Sequence, residues 1–465
     1  MTETLPSGTS AQAQQPDPRR WKILGFVGVA QLMLILDVTV VAIALPHMGA
    51  DLGLGRETLT WVVSAYTLTF GGLLLLGGRA VDLFGARRLV LAALLFFAAS
   101  SLIAGLATSG PMLLGGRIAQ GLAAAALSPA ALSLVVTSFE GEERNKALGI
   151  WSSLGGSGAA LGVLLGGLLT AGPGWSWVFY INVPVGVALF FALRVQLPQQ
   201  PRTAGRGRLD IPGAVLVTAA TGILIYAFIR AGEHGWVTAT TAALVATAAV
   251  LYVGFVVRQR STASPLMDVK LLIRRPVATG TLLIFIATAL MIMTFFLGTF
   301  YLQDYRGHGA LTTGLLFLPV ALATMAGANA AGRVIGHVGS RVLGVVGLLV
   351  AAAGMSTPVI WDGTAAMVIG VSVAATGTGV AFVVASATAL GQVEPQEAGL
   401  ASGIVSTFHE FGASVGAAVV SSMAAVSIAG TSASGFSRGF ATGAIVAVVA
   451  AFLTLVVTPA PRRTQ

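Results

Sequence analysis

The chain has 465 residues, of which 55% are hydrophobic and only 9% are charged. Soluble proteins carry about 25% charged residues, so this composition cannot cover a water-facing surface. It excludes a soluble enzyme, a nucleic-acid-binding protein and a disordered chain. The absence of cysteine excludes disulfides, cysteine-ligated metals and thiol nucleophiles. We expect most of the chain to lie in lipid.

Apolar stretches long enough to cross a membrane recur along the chain. A helix needs about 20 apolar residues to cross the hydrocarbon core, and the sequence contains fourteen such stretches, numbered here as spans 1 to 14. They cover residues 23–45, 59–77, 89–107, 112–137, 147–170, 177–193, 211–229, 237–256, 277–301, 311–332, 342–360, 364–391, 399–428 and 439–458. The predicted fold class is an all-α polytopic membrane protein.

Basic residues predict the orientation, because cytoplasmic loops are enriched in Lys and Arg. If both termini are cytoplasmic, 21 of the 26 Lys and Arg residues fall on the cytoplasmic side. The other five are Arg56, Arg230, Arg306 and Arg438 outside, and Arg117 within span 4. The polar first 22 residues are expected to form a disordered tail and not a signal peptide, because the apolar stretch after them is too long.

An internal repeat divides the chain. The run at 78–87 recurs at 332–341 with its Gly-Arg pair, its second glycine and its final arginine, 254 positions later. The same offset carries spans 1, 2, 4 and 5 onto later spans, which predicts two parallel six-helix repeats and an inserted pair, spans 7 and 8. Parallel repeats place a substrate site near the midplane, between the halves. The predicted segments are a cytoplasmic tail at 1–22, an N-terminal bundle at 23–195, a linker with the inserted helices at 196–258, a basic cytoplasmic loop at 259–276, a C-terminal bundle at 277–458 and a cytoplasmic tail at 459–465.

The most specific motif lies between spans 2 and 3 and comprises Gly78, Asp82, Gly85, Arg87 and Arg88. It resembles the signature cytoplasmic loop of the major facilitator superfamily, and nearly every span resembles the fourteen-span drug:proton antiporters of that family. The resemblance implies the major facilitator fold and a latch that holds the outward-open state. Its carboxylate is expected either to cap a helix or to pair with arginines across the half interface. An ordinary positively charged cytoplasmic loop is the alternative.

Two charged residues lie inside the predicted spans of the first half. Asp37 belongs to a run, residues 36–46, that resembles the span 1 motif of these antiporters, and Arg117 begins a run, 117–121, that resembles a motif in which a buried arginine assists proton transfer. Intramembrane charges are costly and face a bundle interior or a cavity. We expect Asp37 to carry a proton, with Arg117 adjusting its protonation. The alternatives are a static charge that neutralises Arg117, and an arginine that snorkels to the membrane surface.

Small residues form a ridge in span 5, which resembles the antiporter motif of the family. Gly158, Gly162 and Gly166 recur every fourth residue, with Gly167 beside them, and such ridges let helices pack closely. The resemblance implies a seal against proton leak at the half interface. General helix packing explains the ridge equally well.

His409 and Glu410 lie side by side in span 13. One of them is a candidate second proton site, Glu410 is also a candidate partner for a cationic drug, and a structural pair is the alternative. The sequence contains no metal-ligand spacing and no phosphate-binding loop, so we expect no metal, no cofactor and no use of ATP. The stretch from Trp175 to Gly186, with Asn182, resembles the entry to span 6 and is expected to anchor at the interface.

The resemblance implies a multi-pass transporter, not an enzyme, in the bacterial plasma membrane. It would exchange lipophilic or cationic drugs for protons, with membrane lipids as its surroundings and no nucleic-acid partner. The alternatives are an exporter of one metabolite or self-made antibiotic, a proton-coupled importer, and a membrane receptor or scaffold that transports nothing.

Overall fold

A computed structural model of the protein describes residues 19–198, 208–391, 393, 397–424 and 434–457. Residues 1–18 of the predicted N-terminal tail, residues 199–207 of the predicted linker, and residues 458–465, which include the predicted tail at 459–465, lie outside this part. The described helices are α1 (Arg20–Leu52), α2 (Arg56–Phe84), α3 (Ala86–Gly105), α4 (Gly110–Ser138), α5 (Gly141–Ala171), α6 (Trp177–Tyr180), α7 (Asn182–Gln196), α8 (Ile211–His234), α9 (Ala239–Ser261), α10 (Val269–Ile273), α11 (Arg275–Phe300, continued by a π-helical turn at Tyr301–Tyr305), α12 (Ala310–Val338), α13 (Ser340–Ile360), α14 (Thr364–Leu390), α15 (Ala398–Met423) and α16 (Ser434–Val457).

Within the described residues, thirteen helices are long and apolar enough to cross a membrane. The α6–α7 segment, Trp177–Gln196, counts as one of them, and the predicted span 5 coincides with the 31-residue helix α5. Pro184 has no N–H to offer the carbonyl group four residues earlier, which accounts for the break between α6 and α7. The predicted all-α membrane fold is confirmed.

The helices extend beyond the apolar stretches that predicted them. Span 2 was expected to end at residue 77 and to be followed by a loop, but α2 continues to Phe84 and the turn is confined to Gly85. Gly85 has φ +85°, a conformation that glycine adopts at little cost. The charged residues after residue 77 led to the prediction of a loop. A helix that extends beyond the hydrocarbon keeps its backbone hydrogen bonds, however, while its charged side chains reach water.

The helix bounds repeat along the chain. Helix α2 spans Arg56–Phe84 and α12 spans Ala310–Val338, which are the same 29 positions 254 residues later. We call α1–α7 the N half and α11–α16 the C half. The end of the bundle that holds the α1–α2 turn is called the distal end.

Two seams join the halves, and small residues form the first of them, where α5 packs on α12. A Cβ placed on Gly314 would lie 2.5 Å from the carbonyl oxygen of Val163, and one on Gly167 would lie 2.9 Å from that of Ala310. The backbones of the two halves are therefore in direct contact at the distal end.

Hydroxyl groups form the second seam, between α2 and α15. Thr60 donates to the Oγ of Ser421 at 2.6 Å, and the hydroxyls of Thr67 and Ser414 lie 2.5 Å apart. Arg56 donates to the carbonyl oxygen of Ser421 at 3.1 Å. When residue numbers are shifted by 254, this polar contact between α2 and α15 corresponds to the glycine contact between α12 and α5 in the first seam.

The inserted helices α8 and α9 pack over the second seam. Arg56 of α2 donates to the carbonyl oxygen of Ile229 at 3.3 Å, and Gly232 of α8 lies against Ser422 of α15. At the other end of α8, Asp210 accepts hydrogen bonds from Gln259 at 2.8 Å and from Arg258 at 3.0 Å. The pair α8–α9 therefore touches both halves and covers the line along which they meet.

The glycine seam predicts a position-specific effect on stability. Gly314→Ala introduces a methyl group against the backbone of α5 and is expected to destabilise the protein by about 1–3 kcal/mol. Gly332→Ala, in the same helix, meets no atom within 4 Å and should be neutral or stabilise by up to about 1 kcal/mol, because alanine favours helix. Thermal unfolding in detergent measures both. Equal effects of the two substitutions would contradict the close backbone contact.

Candidate functional site

Asp37 lies in the middle of α1 and is buried within the N half. Its residue is 2% exposed. One carboxylate oxygen accepts a hydrogen bond from Arg117, and the other accepts from Gln120 at 3.0 Å and from Asn182 at 3.3 Å. Helices α1, α4 and α7 therefore converge on a single carboxylate.

Arg117 is the counter-charge of this carboxylate and is 1% exposed. Its Nε donates to the carbonyl oxygen of Val62 at 2.9 Å, and its guanidinium group donates to Gln120 at 2.9 Å. The guanidinium carbon also lies 4.4 Å from the ring centre of Tyr66, within the range of a cation–π contact. The alternative that Arg117 snorkels to the membrane surface is wrong, because its partners hold it inside the bundle.

Ser101 of α3 completes the network. It accepts from Gln120 at 2.8 Å, and Asn182 lies 3.5 Å from the same hydroxyl. Gln120 was part of the run that predicted Arg117 but had no role of its own, and Asn182 was expected at the membrane interface. That expectation is wrong, because Asn182 is 5% exposed. The position of Asn182 beside Asp37 could not be derived from sequence spacing alone.

Glu410 lies on the second seam and has different surroundings. It is 9% exposed, and a Cβ placed on Gly71 of α2 would lie 2.6 Å from the Cβ of Glu410. Among the described residues, no side chain donates a hydrogen bond to its carboxylate. One turn earlier, the buried hydroxyl of Thr407 also has no partner within the described part of the chain. Burying unpaired polar groups is costly.

His409 points away from Glu410 although the two are neighbours in sequence. Its Nδ1 lies 2.8 Å from the Oγ1 of Thr288 on α11, and its ring lies 5.8 Å from the ring of Phe382 on α14. Consecutive residues of a helix are about 100° apart, which explains the separation. His409 belongs to the C half, and it does not pair with Glu410.

The residues of the predicted latch make contacts only inside the N half, as far as the structure describes them. Asp82 pairs with Arg79 on its own helix at 3.4 Å. Arg87 donates to the carbonyl oxygens of Leu197 at 3.1 Å and Arg194 at 3.2 Å, while Arg88 is exposed. A Cβ placed on Gly78 would meet no atom within 4 Å, and Gly85 forms the turn. The expected pairing of the carboxylate across the halves is therefore absent from this conformation.

The glycine ridge of α5 serves two contacts. Gly158, Gly162 and Gly166 lie against α1, at Ile35, Thr39 and Val40 respectively, whereas Gly167 lies against α12. The ridge was expected at the half interface, but three of its four glycines pack within the N half. The four-residue spacing identified a close helix contact without identifying the partner.

No group of three or more His, Asp and Glu side chains in the described residues is arranged to hold a metal ion. The site offers a buried charge pair and hydrogen-bonding side chains. The fold and this interior define a multi-pass membrane transport protein.

A model of the Major Facilitator Superfamily matches residues 27–417. The chain belongs to this superfamily, whose members are transport proteins and not enzymes. It is 38% identical to the puromycin resistance protein of Streptomyces alboniger over 427 residues, covering 89% of this chain and 84% of that one. It is also 38% identical to the cephamycin export protein of Amycolatopsis lactamdurans over 399 residues, covering 84% and 82%.

Solved structures share the fold at low identity. A bacterial homologue of the human lysosomal transporter Spinster, in an inward-facing and occupied conformation, aligns with a TM-score of 0.66 at 15% identity, covering 95% of this chain and 97% of that one. At this identity the similarity concerns the fold alone.

The buried pair predicts a non-additive effect on stability. Arg117→Gln leaves Asp37 buried without a counter-charge and is expected to destabilise the protein by about 3–5 kcal/mol. Asp37→Asn combined with Arg117→Gln removes both charges and should restore part of that loss. Unfolding of the two single variants and the double variant in detergent measures the coupling. Additive effects would contradict a direct charge pair.

Proposed function

We propose that the protein exports lipophilic or cationic drugs across the bacterial plasma membrane in exchange for protons. The observation that carries this proposal is the contrast between Asp37 and Glu410, the two acids buried inside the described membrane-spanning helices. Asp37 is compensated entirely within the N half, whereas Glu410 is enclosed by α2 of the N half and α15 of the C half. The names of the relatives, which describe antibiotic resistance and export, support the direction of transport.

The contrast has a mechanical consequence when the halves rock against each other. The partners of Asp37 move with it as one body, so rocking leaves its hydrogen bonds in place. Glu410 loses its contact with α2 at Gly71 when the second seam opens, and the surroundings of its carboxylate change. Glu410 is therefore the acid whose protonation is coupled most directly to the conformation, and Asp37 with Arg117 forms the fixed charge pair beside the transport path.

The proposed orientation places both termini in the cytoplasm and the distal end outside. Hydrogen bonds between described residues of the two halves occur at Thr67 and further toward the distal end. The conformation is thus sealed at the outer side. The latch residues Asp82 and Arg87 have no partner in the C half here, which agrees with their proposed role of holding the opposite, outward-open state.

The carboxylate of Glu410 is then sufficient to exchange a drug for a proton. A buried Glu410 without a partner is stable when it carries a proton or when a cation lies beside it. A cationic drug that arrives from the inner side displaces the proton into the cytoplasm, and the seam opens outward. There a proton from outside releases the drug, and the seam closes again. Thr407 offers its unpaired hydroxyl group to the protonated carboxyl group or to the bound drug. His409 is a proposed second proton site in the C half.

The proton gradient supplies the energy for export. Exchange of one proton for one monovalent cation moves no net charge and is driven by the pH difference alone, whereas exchange of one proton for a neutral drug also uses the membrane potential. One proton that crosses roughly 150 mV provides about 3.5 kcal/mol. At about 1.4 kcal/mol per decade, this supports an approximately 300-fold gradient of a neutral drug. The protein therefore needs no ATP.

A dedicated exporter of one antibiotic is the second candidate. It is favoured by the names of two relatives, because each name refers to a single antibiotic. The two candidates share the coupling mechanism and differ only in the breadth of the substrate site.

Efflux of a fluorescent lipophilic cation from cells tests the proposal. Wild-type efflux should stop on addition of a protonophore, and Glu410→Gln should abolish uphill efflux because the carboxylate can no longer exchange its proton. Glu57→Gln, which changes an exposed acid in the first turn of α2, is the matched control and should pump normally. Uphill efflux by Glu410→Gln would refute its coupling role. Failure to move any cation in a panel, with export of one antibiotic retained, would favour the dedicated exporter.

A further inference from the structure

An apolar furrow runs along the N half between α1 and α5. Its lower part has a volume of about 280 Å³ and begins at Trp21 and Gly25. Its upper part has a volume of about 130 Å³ and reaches Asp37 and Asn182 between α1, α5 and the α6–α7 segment. Val29 and Leu32 line both parts, so the two parts adjoin at these residues, where Leu32 packs on Gly158 of α5.

The furrow opens away from the C half. Leu165 and Leu169 of α5 line it, whereas Val163 and Gly167 of the same helix contact α12. Residues two positions apart on a helix are about 200° apart, so these pairs lie on opposite sides of α5. Val29 is 45% exposed, as expected for a side chain that faces lipid.

The lower mouth of the furrow is basic. The Nζ of Lys146 lies 5.5 Å from the ring centre of Trp21, and Lys22 is the next residue along α1. Both lysines are exposed, and the chain contains only one other, Lys270. Arg20 is paired with Glu143 at 3.0 Å. The charged residues of this region are Arg19, Arg20, Lys22, Arg144 and Lys146 with Glu140, Glu142 and Glu143, which leaves it net positive.

The length of the furrow matches one leaflet. Trp21 and Leu36 are about 22 Å apart along α1 at 1.5 Å per residue, and a leaflet with its headgroup region is about 20–22 Å thick. Tryptophan favours the membrane–water interface, which places the basic mouth at the level of the lipid headgroups. The upper end then lies near the bilayer centre.

We infer that this furrow binds one anionic phospholipid of the inner leaflet. Its phosphate lies at Lys22 and Lys146, and one acyl chain follows α1 up to Asp37 and Asn182. The positive mouth repels a cationic amphiphile, so a lipid is the occupant and not the transported drug. The acyl chain closes the lipid-facing side of the polar network and keeps water away from the Asp37–Arg117 pair. The inference depends on the proposed orientation only for the choice of leaflet.

Lipid retention by the purified protein tests the site without any transport assay. The protein in detergent is incubated with phosphatidylglycerol or phosphatidylcholine, and bound lipid is counted by native mass spectrometry. The wild type should retain one phosphatidylglycerol in preference to phosphatidylcholine. Lys146→Gln should weaken retention about fivefold, because a lysine near an anionic lipid surface contributes about 1 kcal/mol. Lys270→Gln, an exposed lysine elsewhere, should leave retention unchanged.

Filling the furrow gives an independent variant. A Cβ on Gly25 meets no atom within 4 Å, so Gly25→Leu is accommodated by the fold while its side chain occupies the furrow, and the bound lipid should be lost. Gly115→Leu is the matched control, since a Cβ on Gly115 also meets no atom within 4 Å and Gly115 lies outside the furrow. Full retention by Gly25→Leu, or equal retention of the two lipids, would overturn the inference. Displacement of phosphatidylglycerol by tetraphenylphosphonium would instead assign the furrow to a lipophilic cation.

Discussion

A charged pair enclosed at the depth of the hydrocarbon is the constraint on which the N half is built. Neither Asp37 nor Arg117 is tolerable there alone, and their attraction is sufficient only when their remaining hydrogen-bonding groups are satisfied. Gln120 and Asn182 complete the carboxylate, and the carbonyl group of Val62 takes a further guanidinium donor. These contacts therefore fix helices α1, α2, α4 and α7 relative to one another.

The described residues of the C half contain no such centre. The positions 254 residues after Asp37, Arg117 and Gln120 are Met291, Val371 and Ala374. The latter two are fully buried among apolar side chains. The repeat thus preserves the helices while concentrating charge in one half. Glu410 is placed on the contact between the halves, where conformational change alters its environment. In the proposed mechanism, the fixed Asp37–Arg117 pair and the gated acid Glu410 are complementary parts of the coupling.

The sequence predicted the membrane fold and the depth of the buried charges, because hydrocarbon thickness imposes long apolar stretches and makes every interior charge conspicuous. It did not predict that α2 continues to Phe84, since charged residues at a helix end resemble a loop. Nor did it predict that Asn182 contacts Asp37, because helix packing brings together positions far apart in the chain. The surroundings of Glu410, and the covering of its seam by α8, likewise depend on how the halves meet.

The central claim is that protonation of Glu410 controls the second seam. The chain has no cysteine, so spin labels are readily placed at Glu57→Cys on α2 and His308→Cys in the C half, both near the distal end. Distances between the labels are measured by pulsed electron paramagnetic resonance as the pH is varied. The account predicts that the distance lengthens as the pH rises and Glu410 loses its proton, and that it stays short at every pH when Glu410→Gln is also present. An unchanged pH dependence in the Glu410→Gln protein would contradict it.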